Sequence, residues 1–325
     1  MVPARRRFLK FVGVAVGTPA LSRLACALDF PTRPVHLLVG YPPGGANDII
    51  ARLIAQRLSE RLGQQFIVEN RSGAGSNIAT EAVARARPDG YTLLLTSGSN
   101  AYNTALYDHL NFDFIRDIAA VASIGHGWGV MEVHPSFPAK SVPQFIAYAK
   151  AHPGQIIMAS AGIGSAPHLY GELFKSMAGI DLVTVHYRGS APALPDLIAG
   201  RAQVMFDLVV SSIGFIKTGQ LRPLGVTSAK RINILPNVPP IGDFVPGYET
   251  NGWYGLGAPA GTPPAIIDQL NTEINAALAD PAFTARLAEL GVEPFASSPN
   301  EFSRFILEFT EKWGNIIRAA GIKLD

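Results

Sequence analysis

The stretch from Val35 to Gly63 constrains this chain more than any other. Val35-His36-Leu37-Leu38-Val39 is a short, mostly apolar run of strand length. Tyr41-Pro42-Pro43-Gly44-Gly45 reads as a turn, and Ala46-Asn47-Asp48 opens a helix whose free N–H groups Asn or Asp can bond. Ile49, Ile50, Leu53, Ile54, Leu58 and Leu62 share one helical face, while Arg52, Gln56, Glu60 and Arg61 turn away from it. Gly63 supplies the stop. A glycine turn between the carboxyl end of a strand and the amino end of a helix presents backbone donors and a positive dipole, a place to hold an anion.

The unit then recurs. Phe66–Glu69 reads as a strand, Arg71–Asn77 as a glycine loop and Ile78–Arg87 as a helix stopped by Pro88-Asp89-Gly90. Tyr91–Thr96 is a third strand, with Ser97-Gly98-Ser99-Asn100 as its exit loop. Short links between β and α segments predict a parallel sheet, in which the loops at the strands' carboxyl ends line the ligand crevice. A second series follows the capping box at Ser141–Gln144, with strands at 155–160, 182–186, 203–207 and 221–227 and helices at 166–178, 192–199 and from Ser211. Beyond a Pro/Gly-rich region, helices at 264–279, 281–290 and 299–319 return to the first sheet.

The expected fold is therefore α/β, two doubly wound α/β lobes joined by a two-crossover hinge. Lobe 1 comprises 28–125 plus 253–325 and lobe 2 comprises 126–252. The crossings fall near Gly125–His134 and Pro246–Gly257, and two such crossings permit closure on a ligand.

The charge of the chain is divided. Residues 1–27 hold Arg5, Arg6, Arg7, Lys10 and Arg23 and no acid; the rest has 22 basic against 25 acidic residues, a net charge of −3. Such a body lacks the basic footprint of a nucleic-acid binder. The first 27 residues read as an export signal: Arg5-Arg6-Arg7-Phe8-Leu9-Lys10 has the twin-arginine pattern, Phe11–Ala20 is apolar but too short to span a bilayer, and Ala25-Cys26-Ala27 is a cleavage site. Export to the periplasm, with the signal cleaved near Ala27, is expected. Cys26 is the only cysteine, so a mature chain has no disulfide, thiol nucleophile or cysteine metal site.

No cofactor is expected. The turn before Ala46 lacks the Lys of a Walker loop, and no Gly-x-Gly-x-x-Gly follows a strand. No Gly-x-Ser-x-Gly elbow and no His-Glu-x-x-His occurs. Instead, small polar loops gather at strand exits: Ser97-Gly98-Ser99-Asn100, Gly162-Ile163-Gly164-Ser165 and Arg188-Gly189-Ser190. Arg188, the only cation in these three loops, either pairs with a carboxylate or is a solvated loop residue. Asp207 either accepts a bond from a ligand amine or hydroxyl, or caps the next helix. His168 follows Ser165 at helical spacing and reads as a polar packing or ligand-lining residue. Trp253 and Tyr254 either wall a pocket or fill the core beside the hinge.

Tyr41–Asp48, Val68-Glu69-Asn70-Arg71, Gly73–Asn77, Pro88–Tyr91, Gly162–Ser165 with His168, Tyr187–Ala193, Ala258–Pro263 and Lys312-Trp313 occur in order. As a set they resemble the solute-binding proteins of tripartite tricarboxylate transporters, the Bug family, from Asp29 onward. Arg188 stands where that family often has Lys, and Leu208 where it commonly has Asn. The resemblance implies a fold like that of type II periplasmic binding proteins and a periplasmic receptor, not an enzyme, that closes over a small organic carboxylate and passes it to membrane permease subunits. It implies ligand contacts from Tyr41, Gly44, Gly45, Ser97, Ala161, Ser165, Gly189 and Ser190. The loops add Ser99, Asn100, His168, Arg188 and Asp207 as candidates. A monomer without nucleic-acid partners is expected. A sensor serving a membrane signalling partner and a secreted α/β enzyme acting on a carboxylate or ester are the alternatives.

Overall fold

The structure, a computed structural model, describes residues 30–322. The export-signal reading falls on residues 1–27, outside the described residues. Among the described residues no helix is long and apolar enough to cross a membrane.

The opening unit forms as its pattern dictates. β1 (Val35–Val39) leads through the turn into α1 (Ala46–Leu62), and Gly63, at φ 71°, ends the helix with its N–H on the Ser59 carbonyl. β2 (Phe66–Asn70) and β3 (Thr92–Ser97) run parallel to β1 on either side, with Val35 beside Phe66 and His36 beside Thr92. α2 (Asn77–Ala84) connects them and ends earlier than its pattern suggests.

Ser97–Asn100 is not an exit loop. α3 (Gly98–Leu106) starts within it. The Asn100 Oδ1 accepts from the Ser97 N–H at 2.8 Å, and its Nδ2 donates to Thr80 Oγ1 at 2.8 Å. Ser, Gly and Asn are poor inside a helix but serve its first turn, where side chains replace missing backbone partners.

After α4 (Phe114–Asp117), β4 (Ile118–Gly127) reaches the first crossing, and β5 (Gly129–Val133) begins one residue later in a second sheet. There follow α5 (Val142–Ala151), β6 (Ile157–Ser160), α6 (Ala166–Ala178), β7 (Val183–His186), α7 (Ser190–Ile198), β8 (Val204–Leu208), α8 (Val209–Lys217) and β9 (Arg222–Val226). α7 opens at Ser190, two residues before Pro192. The chain returns through β10 (Gly252–Pro259) to α9 (Pro264–Leu278), α10 (Pro281–Glu289), β11 (Val292–Pro294) and α11 (Pro299–Ala319).

These strands make two sheets, ordered β11-β4-β10-β3-β1-β2 and β7-β6-β8-β5-β9. Each carries helices and forms the core of a lobe. In the first, Val35, Leu37 and Val39 pack with Ile50 and Ile54 of α1 and Leu270 of α9, while Leu38 and Leu94 belong with Tyr102 of α3 and Trp313 of α11. Alternation along a strand sends neighbouring side chains to opposite faces.

β10 lies antiparallel between β3 and β4. The sequence reads here as a crossover rather than a long central strand, because its glycines lower strand propensity. The structure gives them a use. A Cβ on Gly255 would stand 2.2 Å from Phe302 Cζ, so its absence lets α11 seat on the sheet.

Between the sheets the crossings are tied at one buried residue. Thr227 Oγ1 accepts from the Gly129 N–H at 2.9 Å and donates to the Thr250 carbonyl at 3.0 Å. Its backbone bonds the same two residues.

α11 locks the aromatic layer. Phe302, Ile306, Phe309, Trp313 and Ile317 recur at helical spacing and are buried. Trp313 meets Tyr102 edge-on at 4.7 Å between ring centroids. Trp313→Ala should cost about 3–5 kcal/mol of stability through transfer and cavity terms. Denaturant unfolding checks this; a loss under about 1 kcal/mol would show that the layer closes over the gap.

Candidate functional site

The two lobes meet around a small cavity. The first contributes Tyr41, Pro42, Gly45, Ala46, Asn47, Ser97, Gly98 and Ser99; the second contributes Ala161, Ala166, Pro167, Ser190 and Leu208; Gly252, Trp253 and Tyr254 come from β10. Its space for water centres is about 30 Å³, where a single water needs about 10–15 Å³. It suits a small polar group gripped closely.

Four helices begin at its wall. Gly45 and Ala46 start α1, Gly98 starts α3, Ala166 starts α6 and Ser190 starts α7. Neither Gly45 nor Gly189, the residues ahead of α1 and α7, makes a side-chain cap. N–H groups of a first helical turn have no partner within the helix, and each N-terminus carries about half a positive charge. Among the described residues no Lys, Arg, Asp or Glu lines the cavity. The field there is positive but made of dipoles.

The turn after β1 is held from behind. The Asp48 carboxylate accepts from the Gly44 N–H at 2.9 Å, from Arg52 Nε at 2.9 Å and from Asn70 Nδ2 at 2.9 Å. Burial pushes this carboxyl up, but the bonds from Arg52, Gly44 and Asn70 outweigh it and leave it below the ordinary carboxylate value. Asn70 Nδ2 also donates to the Tyr41 carbonyl at 2.9 Å. The turn is therefore fixed before any ligand arrives.

The polar wall is neutral. The Tyr41 hydroxyl donates to Ser99 Oγ at 2.8 Å, and burial holds its phenol above the usual range, so it stays protonated. Asn47 Nδ2 reaches Ser97 Oγ at 3.4 Å. Tyr254 lines the cavity, and its buried hydroxyl has no partner among the described residues.

The lobes approach closely here. A Cβ at Gly189 would stand 2.6 Å from Pro42 Cδ, and its φ of +138° is one that other residues rarely adopt.

The structure brings Tyr41, Gly45, Ser97, Ser99, Ala161 and Ser190 to the cavity wall. Gly44 and Gly189 belong to the two facing turns just behind it. Asn100 is committed to the start of α3. Ser165, fully buried, caps α6 by accepting from the His168 N–H at 3.3 Å. His168 Nδ1 accepts from the Gly164 N–H at 3.4 Å, its ring lies edge-on to His186, and it borders a separate hollow with Glu172 and Lys175. Arg188 is exposed and lines a larger outer cleft of about 710 Å³ with Tyr107, His186 and the Ser72–Gly75 loop. Asp207 is fully buried and reaches the cavity only through Ser190, whose Oγ–H donates to its Oδ1 at 2.5 Å.

Sequence reasoning did not place Ala46, Asn47, Gly98, Ala166, Pro167 or Gly252 on the wall, nor Glu132 behind Asp207, and it marked Leu208 only as a departure from the family's Asn. Glu132 had one visible signal, an acid inside the apolar run Val130-Met131-Glu132-Val133.

Residues 50–322 match the family model described as tripartite tricarboxylate transporter family receptor. Protein BugT of Bordetella pertussis is 34% identical over 321 residues, 98% of this chain and 98% of that protein. Rpa4515 of R. palustris, solved with adipate, superposes with a TM-score of 0.88 at 39% identity, over 90% of this chain and 99% of that one. MatC (Rpa3494) of Rhodopseudomonas palustris, solved with bound malate, superposes at 0.85 and 29% identity, over 89% and 100%. With most of its length matched by the family model and its two lobes shared with these solved structures, the chain belongs to the tripartite tricarboxylate transporter receptor family.

Proposed function

We propose that this protein is a periplasmic receptor that captures a small organic carboxylate between its lobes. It passes the ligand chemically unchanged to the membrane permease subunits of a tripartite transporter. The observation that carries this reading is the convergence of four helix N-termini on a cavity with no cationic side chain. A carboxylate oxygen accepts several backbone N–H bonds there, and the dipoles stabilise its charge without a fixed counter-ion. The adipate and malate held by the two R. palustris relatives support the ligand class.

On this reading the carboxylate is held by the turns at Tyr41–Gly45 and Gly189–Ser190 and by Ser97, Ser99 and Ala161. Leu208, Trp253 and Tyr254 shape the remainder. The lobes turn about the two crossings, and closure removes the anion from water, which strengthens every dipole contact. The working form is a monomer, exported with its signal and cleaved near Ala27.

A thermal-shift screen of the chain from Leu28, unfolded and refolded to strip the site, should single out one class among dicarboxylates, tricarboxylates, acidic amino acids and aromatic acids. At a hundredfold excess over Kd the gain is about 2.7 kcal/mol, a clear rise in melting temperature. The ligand should be recovered unchanged. No shift from any acid counts against the carboxylate, and turnover of the bound acid would bring back the enzyme reading.

Gly189→Ala tests the approach of the lobes. The added methyl meets Pro42 with the turns as close as they stand here. Affinity should fall at least about tenfold, roughly 1.4 kcal/mol. Backbone strain should cost the ligand-free protein about 1–3 kcal/mol. Calorimetric titration measures the first and unfolding of the empty protein the second. Unchanged affinity would show that the turns need not close this far.

A further inference from the structure

Two acids stand behind Ser190 with no cation to balance them. Asp207 and Glu132 are both fully buried, and among the described residues neither forms an ion pair. They are joined by one hydroxyl: Ser212 Oγ lies 2.9 Å from Asp207 Oδ2 and 2.7 Å from Glu132 Oε1. A hydroxyl has a single proton, so it can donate to only one of these oxygens. The other carboxyl must bring a proton of its own.

The surroundings say which. Asp207 also accepts from the Leu208 N–H at 2.8 Å and from Ser190 Oγ at 2.5 Å, a short distance expected of a bond to an ionised acceptor. Among the described residues Glu132 has Ser212 alone, and its Oε2 has no partner. Glu132 is therefore the neutral acid that donates to Ser212, and Ser212 donates to the ionised Asp207. Burial and then the charge of Asp207 push Glu132 well above the usual range. Burial pushes Asp207 up to about 6, against the bonds from Ser190, Ser212 and Leu208.

This places a negative charge directly behind the wall of a cavity built for anions. It also fixes the direction of the Ser190 hydroxyl. Its proton is spent on Asp207, so only lone pairs face the cavity, and these repel a carboxylate.

We propose that Asp207 is a proton-linked positioning residue, and that docking a carboxylate against Ser190 takes up one proton from solution onto Asp207. This rests on the carboxylate reading above. The incoming charge opposes that of Asp207 across a site of low dielectric. A solvent proton enters through the cavity and binds Asp207 Oδ1. The neutral carboxyl then donates to Ser190 Oγ, and the Ser190 O–H turns to the ligand oxygen. One O–H bond forms on Asp207, one hydrogen bond reverses, and Glu132 keeps its proton.

The titratable groups on the packed elements are few. β5 brings Glu132 and β10 the Tyr254 phenol. α6 brings His168, Tyr170 and the Glu172–Lys175 pair, which is bound to Thr184. α7 brings half-buried Asp196, paired with Arg201; α8 ends in Lys217; Arg222 of β9 donates to the carbonyls of Phe137 and Ala139.

The test is calorimetric titration with succinate, malate and adipate, in two buffers of different ionisation enthalpy at one pH. The enthalpy difference between buffers counts the protons. Wild type should take up nearly one proton per ligand at pH 7.5. Its affinity should rise about tenfold per unit as pH falls from 8 toward 6.5 with the ligand fully ionised, the slope of one linked proton. Asp207→Asn should abolish both the proton count and the slope. Binding without proton uptake, or a slope surviving in Asp207→Asn, overturns the proposal and leaves the carboxylate reading intact. If none of the three acids binds, the titration uses the acid that the thermal-shift screen singles out, and a screen without any shift is what fails the carboxylate reading. Carboxyl carbon spectra of the ligand-free protein then judge the acids alone. A Glu signal protonated at pH 7 and lost in Glu132→Gln, with an Asp signal titrating near 6 and lost in Asp207→Asn, supports the arrangement. Ionisation of every carboxyl at pH 7 overturns it.

Discussion

The antiparallel seat of β10 between β3 and β4 is the constraint on which the cleft depends. Because β10 runs against both neighbours, β4 is left parallel to β1 and β3, and all three end at the crossing. In the second sheet β5 runs against β8 and leaves from the same place, so β6, β7 and β8 end there too. Every helix that follows one of these parallel strands must then begin at the cleft. The cluster of helix N-termini is a product of strand direction, and single residues only refine it.

Much of this was legible in order along the chain. Tyr41–Gly45 announces itself because strand period, glycines and helical period change within a few residues. The lobe pattern follows from the same alternation, and the start of α6 at Ala166 follows from Ser165 ahead of it. What stayed hidden is of another kind. The glycines of β10 lower local strand propensity for the sake of Phe302, a residue 47 positions beyond Gly255. Ser97–Asn100 looks like a loop because Ser, Gly and Asn are poor helix formers, and the Thr80 hydroxyl that fixes Asn100 in its capping role belongs to another helix. The Asp207–Ser212–Glu132 chain joins three elements, and nothing local marks Ser212. Its partner Glu132 is conspicuous only as an acid among apolar neighbours.

Two buried carboxyls without a cation are costly unless one of them is neutral. The serines resolve the rest of the cost by giving Asp207 its donors, so the acid is stable in place yet close to the point where a small change in field alters its charge. The Asp48–Arg52 pair shows the opposite arrangement in the same molecule. There a half-exposed arginine and two amide donors hold a carboxylate in one charge state and make the turn before α1 rigid.

The absence of cationic side chains from the cavity wall also bears on kinetics. The field of a helix end is spent within about a turn, whereas that of a net charge reaches out to the Debye length, about 8 Å at physiological ionic strength. The wall itself therefore does not draw an anion in from afar. The anion is recognised only after it has entered, and shape sorts it before charge does. Encounter rates set this way are nearly indifferent to salt, and inorganic anions gain no accumulation at the mouth from the wall itself. A cleft of this construction trades speed of encounter for constancy, and its capture rate follows the concentration of the right solute rather than the ionic strength of the medium.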